Sequence, residues 1–419
     1  MQIYYFILAV KTTLTTHSER GNMRKHLVIG AISAIAMASV VALPANAAGV
    51  KASQAVTVKD FGGLNGLVNA CKKEGHLNVV ALPRDWANYG EVLDLFAKAF
   101  KVKIYSDNPD GSSAYEIQTI KTAPKSKQPD VVDVGGSVLD DAVGNDLFAD
   151  YRVMTWNDIS AEYKDNLNNK FYPDYAGQIA IMYDTTLAKA PHSIKDLLDP
   201  AFKGSVAIAG DPTQAQQALM SVFAASVANG GSVKDIQKGI DFYAQLKKMG
   251  NYVAVTGNTT NFAAGAFKVA LQWNFNGPGF VAAAKQIGRS VQFIIPSDAV
   301  LQGTPYFQAI NKNAPHPACA RLFEEFIYSQ NKGKISSQLT AADLKLPGDK
   351  LFAKIMGGQN LFIQGGATPI ELPAMQKKKL NVAPPSAIVS YAGNKAAVTP
   401  NAAQQAAAKK ILQASWANL

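Results

Sequence analysis

The chain predicts an α/β protein of two lobes, and three observations carry this. Short apolar runs of strand length alternate with segments of helical periodicity. The alternation breaks off near residue 171 and restarts near residue 205. The 419 residues are enough for two domains or one large bilobal body.

Leu77–Ala81 is the first strand-like run, set between Gly75 and Pro83. Val92, Leu95, Phe96, Ala99 and Phe100 then share one helical face. Val102–Tyr105 and Val131–Val134 read as strands, and Leu139, Ala142 and Val143 begin another helical stripe. Strand–helix–strand order of this kind implies a largely parallel sheet with flanking helices. In the second region Ser205–Ala209, Tyr252–Val255, Lys268–Gln272 and Val291–Ile295 are strand-like. Ser232 is placed to cap a helix with Val233, Ile236, Ile240, Tyr243 and Leu246 on one face, ended by Gly250. The Tyr- and Gly-rich segment 171–184 reads as the first crossing between lobes. Later, Pro317 opens a helix, residues 380–400 form an extended surface strap, and Ala402–Trp416 predicts a final helix.

The N-terminal region reads as a targeting segment. Basic Met23-Arg24-Lys25-His26 precedes the apolar stretch Leu27–Leu43, then Pro44 and Ala45-Asn46-Ala47. This is the pattern of a signal peptide cleaved after Ala47. Residues 1–22 read as an extension from a start assigned too early, with Met23 the true start. Export to the periplasm follows, and it argues against nucleic acid as the partner of a chain of net charge +10. Cys71 and Cys319 form either one disulfide or two buried thiols, and the sequence leaves both open. His76, His192 and His316 show no metal-ligand spacing, and no metal or cofactor is expected.

Signatures of catalysis are absent: no G-x-S-x-G, no H-E-x-x-H and no phosphate-binding Walker loop. Gly277–Ala282 matches G-x-G-x-x-A, but a dinucleotide site should open the first strand–helix–strand unit, far upstream. More telling are five polar and aromatic segments, each directly after a strand. They are 84–89, 135–137, 211–214, 257–260 and 273–276. Ligands of open α/β sheets sit at that edge. The candidate contacts are Asp85, Trp86, Tyr89, Asp133, Gly135, Ser137, Tyr175, Thr213, Gln214, Trp273, Asn274, Asn276 and Tyr306. Trp86, Tyr89, Tyr175, Trp273 and Tyr306 suggest an aromatic box around a methylene chain, with Asp85 and Asp133 as partners for ammonium groups. The alternative is a small anion such as a phosphonate or carboxylate, held by Arg84, Ser137, Thr213 and backbone N–H groups near Thr213 and Gly279.

Three stretches in order carry a family resemblance. Pro129-Asp130-Val131-Val132-Asp133-Val134-Gly135 resembles the P-D-V-V strand of type II periplasmic binding proteins. Ile181–Leu187 with Ser193–Gly204, which contains Asp196-Leu197-Leu198-Asp199-Pro200, resembles their central stretch. Val291–Asp298 followed by Tyr306–Pro317 resembles their return to the first lobe. The resemblance covers most of residues 75–330, resumes at Gly358–Phe362, and is closest to the spermidine/putrescine-like branch. Residues 333–357 look like an insertion, and Asn274 stands where a cation-binding relative is expected to carry an acid. The paired tyrosines of the ferric-iron branch are missing.

The resemblance implies mixed, mostly parallel sheets with flanking helices and a hinge of crossing strands. The first lobe would take 48–174 and 300–419, including the strap and final helix, and the second 175–299. The hinge would lie near 175–179 and 297–304. It also implies the binding component of an ABC importer, a monomer that closes on a small solute and delivers it to an inner-membrane permease. Catalysis is not expected. An exported hydrolase and a partner of a membrane sensor are the competing classes.

Overall fold

The computed structural model describes residues 50–159, 169–330, 339–365, 367–369 and 388–419. The targeting segment and part of the expected insertion and strap lie outside these.

Helix α1 (Leu64–Glu74) leads into β1 (His76–Val80), and α2 (Tyr89–Phe100) into β2 (Lys103–Asp107). Helix α3 (Ser113–Thr122) precedes β3 (Val131–Gly135), and α4 (Leu139–Gly144) follows it. The apolar stripe read on α2 is buried throughout, with the Phe96 ring 5.2 Å from that of Phe323. Strands β1 and β2 pair in parallel. Asp130 joins β1 to the strand that follows it: its N–H donates to the Asn78 carbonyl, and its carboxylate accepts the Asn78 N–H. The other carboxylate oxygen of Asp130 accepts the His316 N–H. The acid of the P-D-V-V motif is therefore structural.

Short strands β4 (Tyr172–Pro173) and β5 (Tyr175–Ala176) lead to β6 (Ile179–Asp184). The second region continues through β7 (Val206–Ile208), α5 (Gln216–Ala228), α6 (Gln237–Lys248), β8 (Tyr252–Thr256), α7 (Thr259–Ala263), β9 (Val269–Trp273), α8 (Gly277–Gln286) and β10 (Val291–Ile295). The expected cap at Ser232 does not form. Ser232 Oγ accepts from Lys234 N two residues on, Asp235 accepts from Gln237 N, and the helix starts at Gln237. Such a local turn competes with helix initiation.

The chain returns through β11 (Tyr306–Ile310), which pairs antiparallel with β3 and β4. Helix α9 (Pro317–Ile327) packs on α1. Helices α10 (Gly348–Ile355) and α11 (Gly358–Gln364) follow, then β12 (Thr368–Pro369), β13 (Ile388–Ser390) and α12 (Ala402–Ser415). The described part of the expected insertion thus supplies α10. It caps the first region, with Gly348 N–H on Asn65 Oδ1 at 2.8 Å and the Phe352 ring 6.5 Å from that of Phe100.

The second sheet runs β13-β10-β6-β9-β7-β8 and mixes parallel and antiparallel pairs. Its edge corrects one expectation. Residues 388–390 belong to the strap assigned to the first lobe, yet they pair in parallel with β10. Phe293 and Ile295 of β10 are buried, and an edge strand completes their backbone hydrogen bonding.

Two chain segments cross between the sheets side by side. Ile179 N–H donates to the Leu301 carbonyl and Gly303 N–H to that of Gly177, at 2.9 and 2.8 Å. A third segment joins them where Val398 bonds to Val300 and Gln302. A side chain at Gly303 would force this crossing to shift: a Cβ there would lie 2.2 Å from Trp273 Cη2. Gly303→Ala is expected to destabilise the protein by about 1–3 kcal/mol through overpacking, read as a lowered midpoint in thermal denaturation.

Candidate functional site

Between the loop ends of the two sheets lies a cavity of 390 Å³. Its walls come from both regions. One side is given by Asp85 and Trp86 after β1, by the β2–α3 loop from Asn108 to Ser113, and by Glu116 and Asp133. The other is given by Asp211, Gln214, Gln216 and Gln217 around the start of α5, by Thr256–Thr259, and by Gln272, Asn276 and Phe280. Tyr306 closes the hinge side. The walls touch at the mouth, where Thr259 Oγ1 donates to Asp85 Oδ2 at 2.7 Å.

The lining has one electrostatic sign. Asp85, Asp110, Glu116, Asp133 and Asp211 contribute carboxylates, and no Lys, Arg or His lines the cavity among the described residues. A chain of net charge +10 therefore holds a locally acidic site.

The hydrogen-bond inventory has the same polarity. Asp133 Oδ2 accepts from the hydroxyls of Tyr175 and Tyr89, at 2.7 and 2.9 Å, while Oδ1 is buried without a partner. Gln216 Oε1 and Asn276 Oδ1 are likewise unpartnered. The orientation of Asn276 follows from its neighbours. Gln272 Nε2 donates to the Gly257 carbonyl, so Gln272 Oε1 is left to accept, and it does so from Asn276 Nδ2 at 3.0 Å and Gln217 Nε2 at 2.6 Å. The unpartnered buried atoms of the lining are all acceptors, and a buried acceptor without a donor costs about 1–3 kcal/mol. A ligand rich in N–H donors would remove that cost.

Burial governs protonation here. It pushes the Asp133 carboxyl up to about 7, against the opposing donation of the Tyr175 and Tyr89 hydroxyls. Glu116, whose Oε2 accepts the Asp133 N–H at 2.9 Å, is pushed well above the usual carboxylate range by burial and by the charge of Asp133. Asp174 behind it is raised for the same two reasons.

Of the residues expected from the sequence, Asp85, Trp86, Asp133, Gln214, Asn276 and Tyr306 line the cavity. Tyr89, Tyr175 and Trp273 do not, although the structure gathers all five aromatic residues. Tyr175 stacks on Tyr306 at 5.5 Å, Tyr89 meets Tyr175 at 6.2 Å, and Trp273 Nε1 donates to Tyr306 Oη at 3.1 Å. Trp86 donates to Tyr175 Oη at 2.8 Å, and Phe275 and Phe362 fill the remaining space. The box is thus packed on itself, with Trp86 and Tyr306 on its cavity side.

Asn274 holds the hinge, its Oδ1 accepting from Gln178 N at 2.8 Å. Gly135 faces Gln216, where a Cβ would come within 2.6 Å of the Gln216 side chain. Ser137 is half-buried away from the lining, and the Thr213 N–H is taken by Asp211 Oδ1 at 2.7 Å. Arg84, central to the anion alternative, points out to Asp94 and is 61% exposed. The loop Asn108–Ser113 and the glutamines of α5 and β9 also line the cavity, beyond the residues the sequence singles out. The loop is Pro- and Gly-punctuated and directly follows β2, so the strand-end argument applies to it equally.

Residues 126–352 match the sequence pattern of the bacterial extracellular solute-binding proteins. The chain belongs to this family. A protein of the family is the solute-capturing component of an ABC transporter, works with a permease, and binds its ligand without transforming it. No curated protein matches the chain in sequence. Among solved structures, the periplasmic binding protein P5PA is 18% identical with a TM-score of 0.57, over 82% of this chain and 99% of that one. AfuA of Actinobacillus pleuropneumoniae, a periplasmic binding protein with fructose-6-phosphate bound, is 18% identical with a TM-score of 0.55, over 82% and 98%. A periplasmic thiamin binding protein is 16% identical with a TM-score of 0.51, over 82% and 95%. What this solute-binding protein shares with them is the two-domain α/β fold. Among its described residues no helix is long and apolar enough to cross a membrane.

Proposed function

We propose that this solute-binding protein captures a small amine-bearing cation of the polyamine type in the periplasm. The polarity of the cavity carries the reading: its charged side chains are carboxylates, and its unpartnered buried atoms are acceptors. The deep end presents Asp133 Oδ1, and the mouth presents Asp110, Asp211 and Asp85. A flexible chain with an ammonium at each end would satisfy both, its methylenes lying along Trp86 and Tyr306. A volume of 390 Å³ falls within the range of small-ligand sites.

An anion would meet five acidic side chains, those of Asp85, Asp110 and Asp211 toward the mouth, and no basic one, so the phosphonate or carboxylate alternative loses its support. Ligand contacts to both walls exist only when the regions are brought together, so ligand favours the closed arrangement over an open one. The protein would act as a monomer, after removal of residues 1–47.

Calorimetry against spermidine, putrescine, thiamin, 2-aminoethylphosphonate and citrate tests the assignment. Spermidine or putrescine should bind at one site per chain. Binding of thiamin with neither polyamine would keep the cationic class and remove the polyamine. Binding of the last two compounds alone would overturn the cationic reading.

A further inference from the structure

The final helix, α12, reaches the cavity through a relay of amide side chains. Gln216, at the start of α5, places its Nε2 against Gln405 Oε1 at 2.8 Å and Thr304 Oγ1 at 3.1 Å. Gln405 Nε2 in turn donates to the Pro400 carbonyl at 2.9 Å and to Thr304 Oγ1 at 3.1 Å. Both glutamines are buried, and Gln216 Oε1, in the cavity lining, is left without a partner.

A primary amide has a donor end and an acceptor end of nearly the same shape, so its neighbours decide which end meets a ligand. Here the decision starts at a backbone carbonyl, which can only accept. The Pro400 carbonyl takes Gln405 Nε2, which leaves Gln405 Oε1 to accept, which takes Gln216 Nε2, which leaves Gln216 Oε1, on a residue of the cavity lining, as the end without a donor. The support is fixed. Val398, just before the helix, bonds to both Val300 and Gln302 at the hinge, and an Asn401–Gln404 capping box starts the helix. The Trp416 ring, just past the end of α12, lies 5.4 Å from that of Tyr243 on α6.

We infer that Gln405 is a specificity-determining positioning residue: through Gln216 it sets the cavity to accept hydrogen bonds, and so selects N–H donors among ligands. This rests on the amine reading of the site and deepens it.

The near-isosteric Gln405→Met leaves Gln216 Nε2 only Thr304 Oγ1 as a partner, a hydroxyl that can accept or donate and so lets the amide turn. Spermidine affinity is expected to fall about tenfold, the effect of one buried hydrogen bond made or lost. Gln216→Glu added to Gln405→Met should recover most of that loss, because a carboxylate has no donor end and needs no orienting partner. Unchanged affinity in Gln405→Met, or a loss that the added Gln216→Glu leaves in place, would overturn the inference and reduce Gln405 to packing.

A second readout needs no ligand. The Gln216 side-chain amide protons should exchange slowly in the free wild-type protein by NMR and faster in Gln405→Met. If the wild-type protein binds no amine, the amine reading fails by itself. Exchange that is equally fast or equally slow in both proteins would separately remove the positioning role.

Discussion

Asp133→Asn is expected to lower spermidine affinity at least about thirtyfold at pH 8 while leaving the fold intact. Losing one member of a desolvated charge pair costs about 2–5 kcal/mol, and Asp133 Oδ1 is the buried carboxylate oxygen placed to make such a pair. The amide retains an oxygen able to accept from Tyr89 and Tyr175, so the wall behind the site has no reason to collapse. The wild-type protein should show the same group in its pH dependence. The Asp133 carboxyl is pushed up to about 7 in the free protein, so an ammonium ligand must displace a proton below that pH. Affinity should level off above pH 7 and fall by up to tenfold per unit below it, with proton release seen when titrations are repeated in buffers of different ionisation enthalpy.

Stability should move the other way. A raised carboxyl contributes stability that is complete below about pH 4, the unfolded value, and is lost as the pH rises through about 7. Asp133→Asn should abolish that part of the decline. Affinity independent of pH between 5.5 and 8.5 would rule Asp133 out as the ammonium partner.

Replacing the Cys71–Cys319 pair by Ser or Ala should cost about 2–5 kcal/mol, a large fraction of the stability of an ordinary domain. The cysteines are joined in a disulfide with 4.4 Å between Cα atoms, tying α1 to α9 across a sequence separation of 248. This settles what composition left open. The loop it closes contains the whole run from β1 to β11, including the crossings at Ile179 and Leu301, so the bond constrains the unfolded chain widely. Urea unfolding with and without reductant would measure the effect. The midpoint of the wild-type protein should drop on reduction, and that of the double variant should not respond. Equal midpoints in all four samples would deny the bond any role in stability.

The α/β alternation was legible because most strands are short apolar runs bounded by turn residues. The position of the cavity was legible because ligands gather at strand ends. The direction of each side chain was not. Along β9, Gln272 and Trp273 are neighbours, yet period-two alternation sends Gln272 to the cavity and Trp273 to the hinge core. An aromatic residue at a strand end is therefore near a site without facing it. The acidic character of the cavity was only half legible. Asp85 and Asp133 stood out, whereas Glu116 looks like an ordinary helical glutamate until its burial is known. The return of residues 388–390 to the second sheet carried no local signature, since a three-residue edge strand next to Pro- and Ala-rich sequence resembles any surface strap.

The bridge between Val398 and the hinge bears on the order in which the protein can be made. Emerging from a ribosome, the chain offers β6 and β10 long before β13, and Leu301 nearly a hundred residues before Val398. The second sheet stays without its β13 edge, and the hinge without its third segment, until synthesis is almost finished. Long-range pairings of this kind form slowly. In a family of extracellular solute-binding proteins, the β13 edge and the bridge from Val398 to the crossing strands would then be among the last contacts the chain makes.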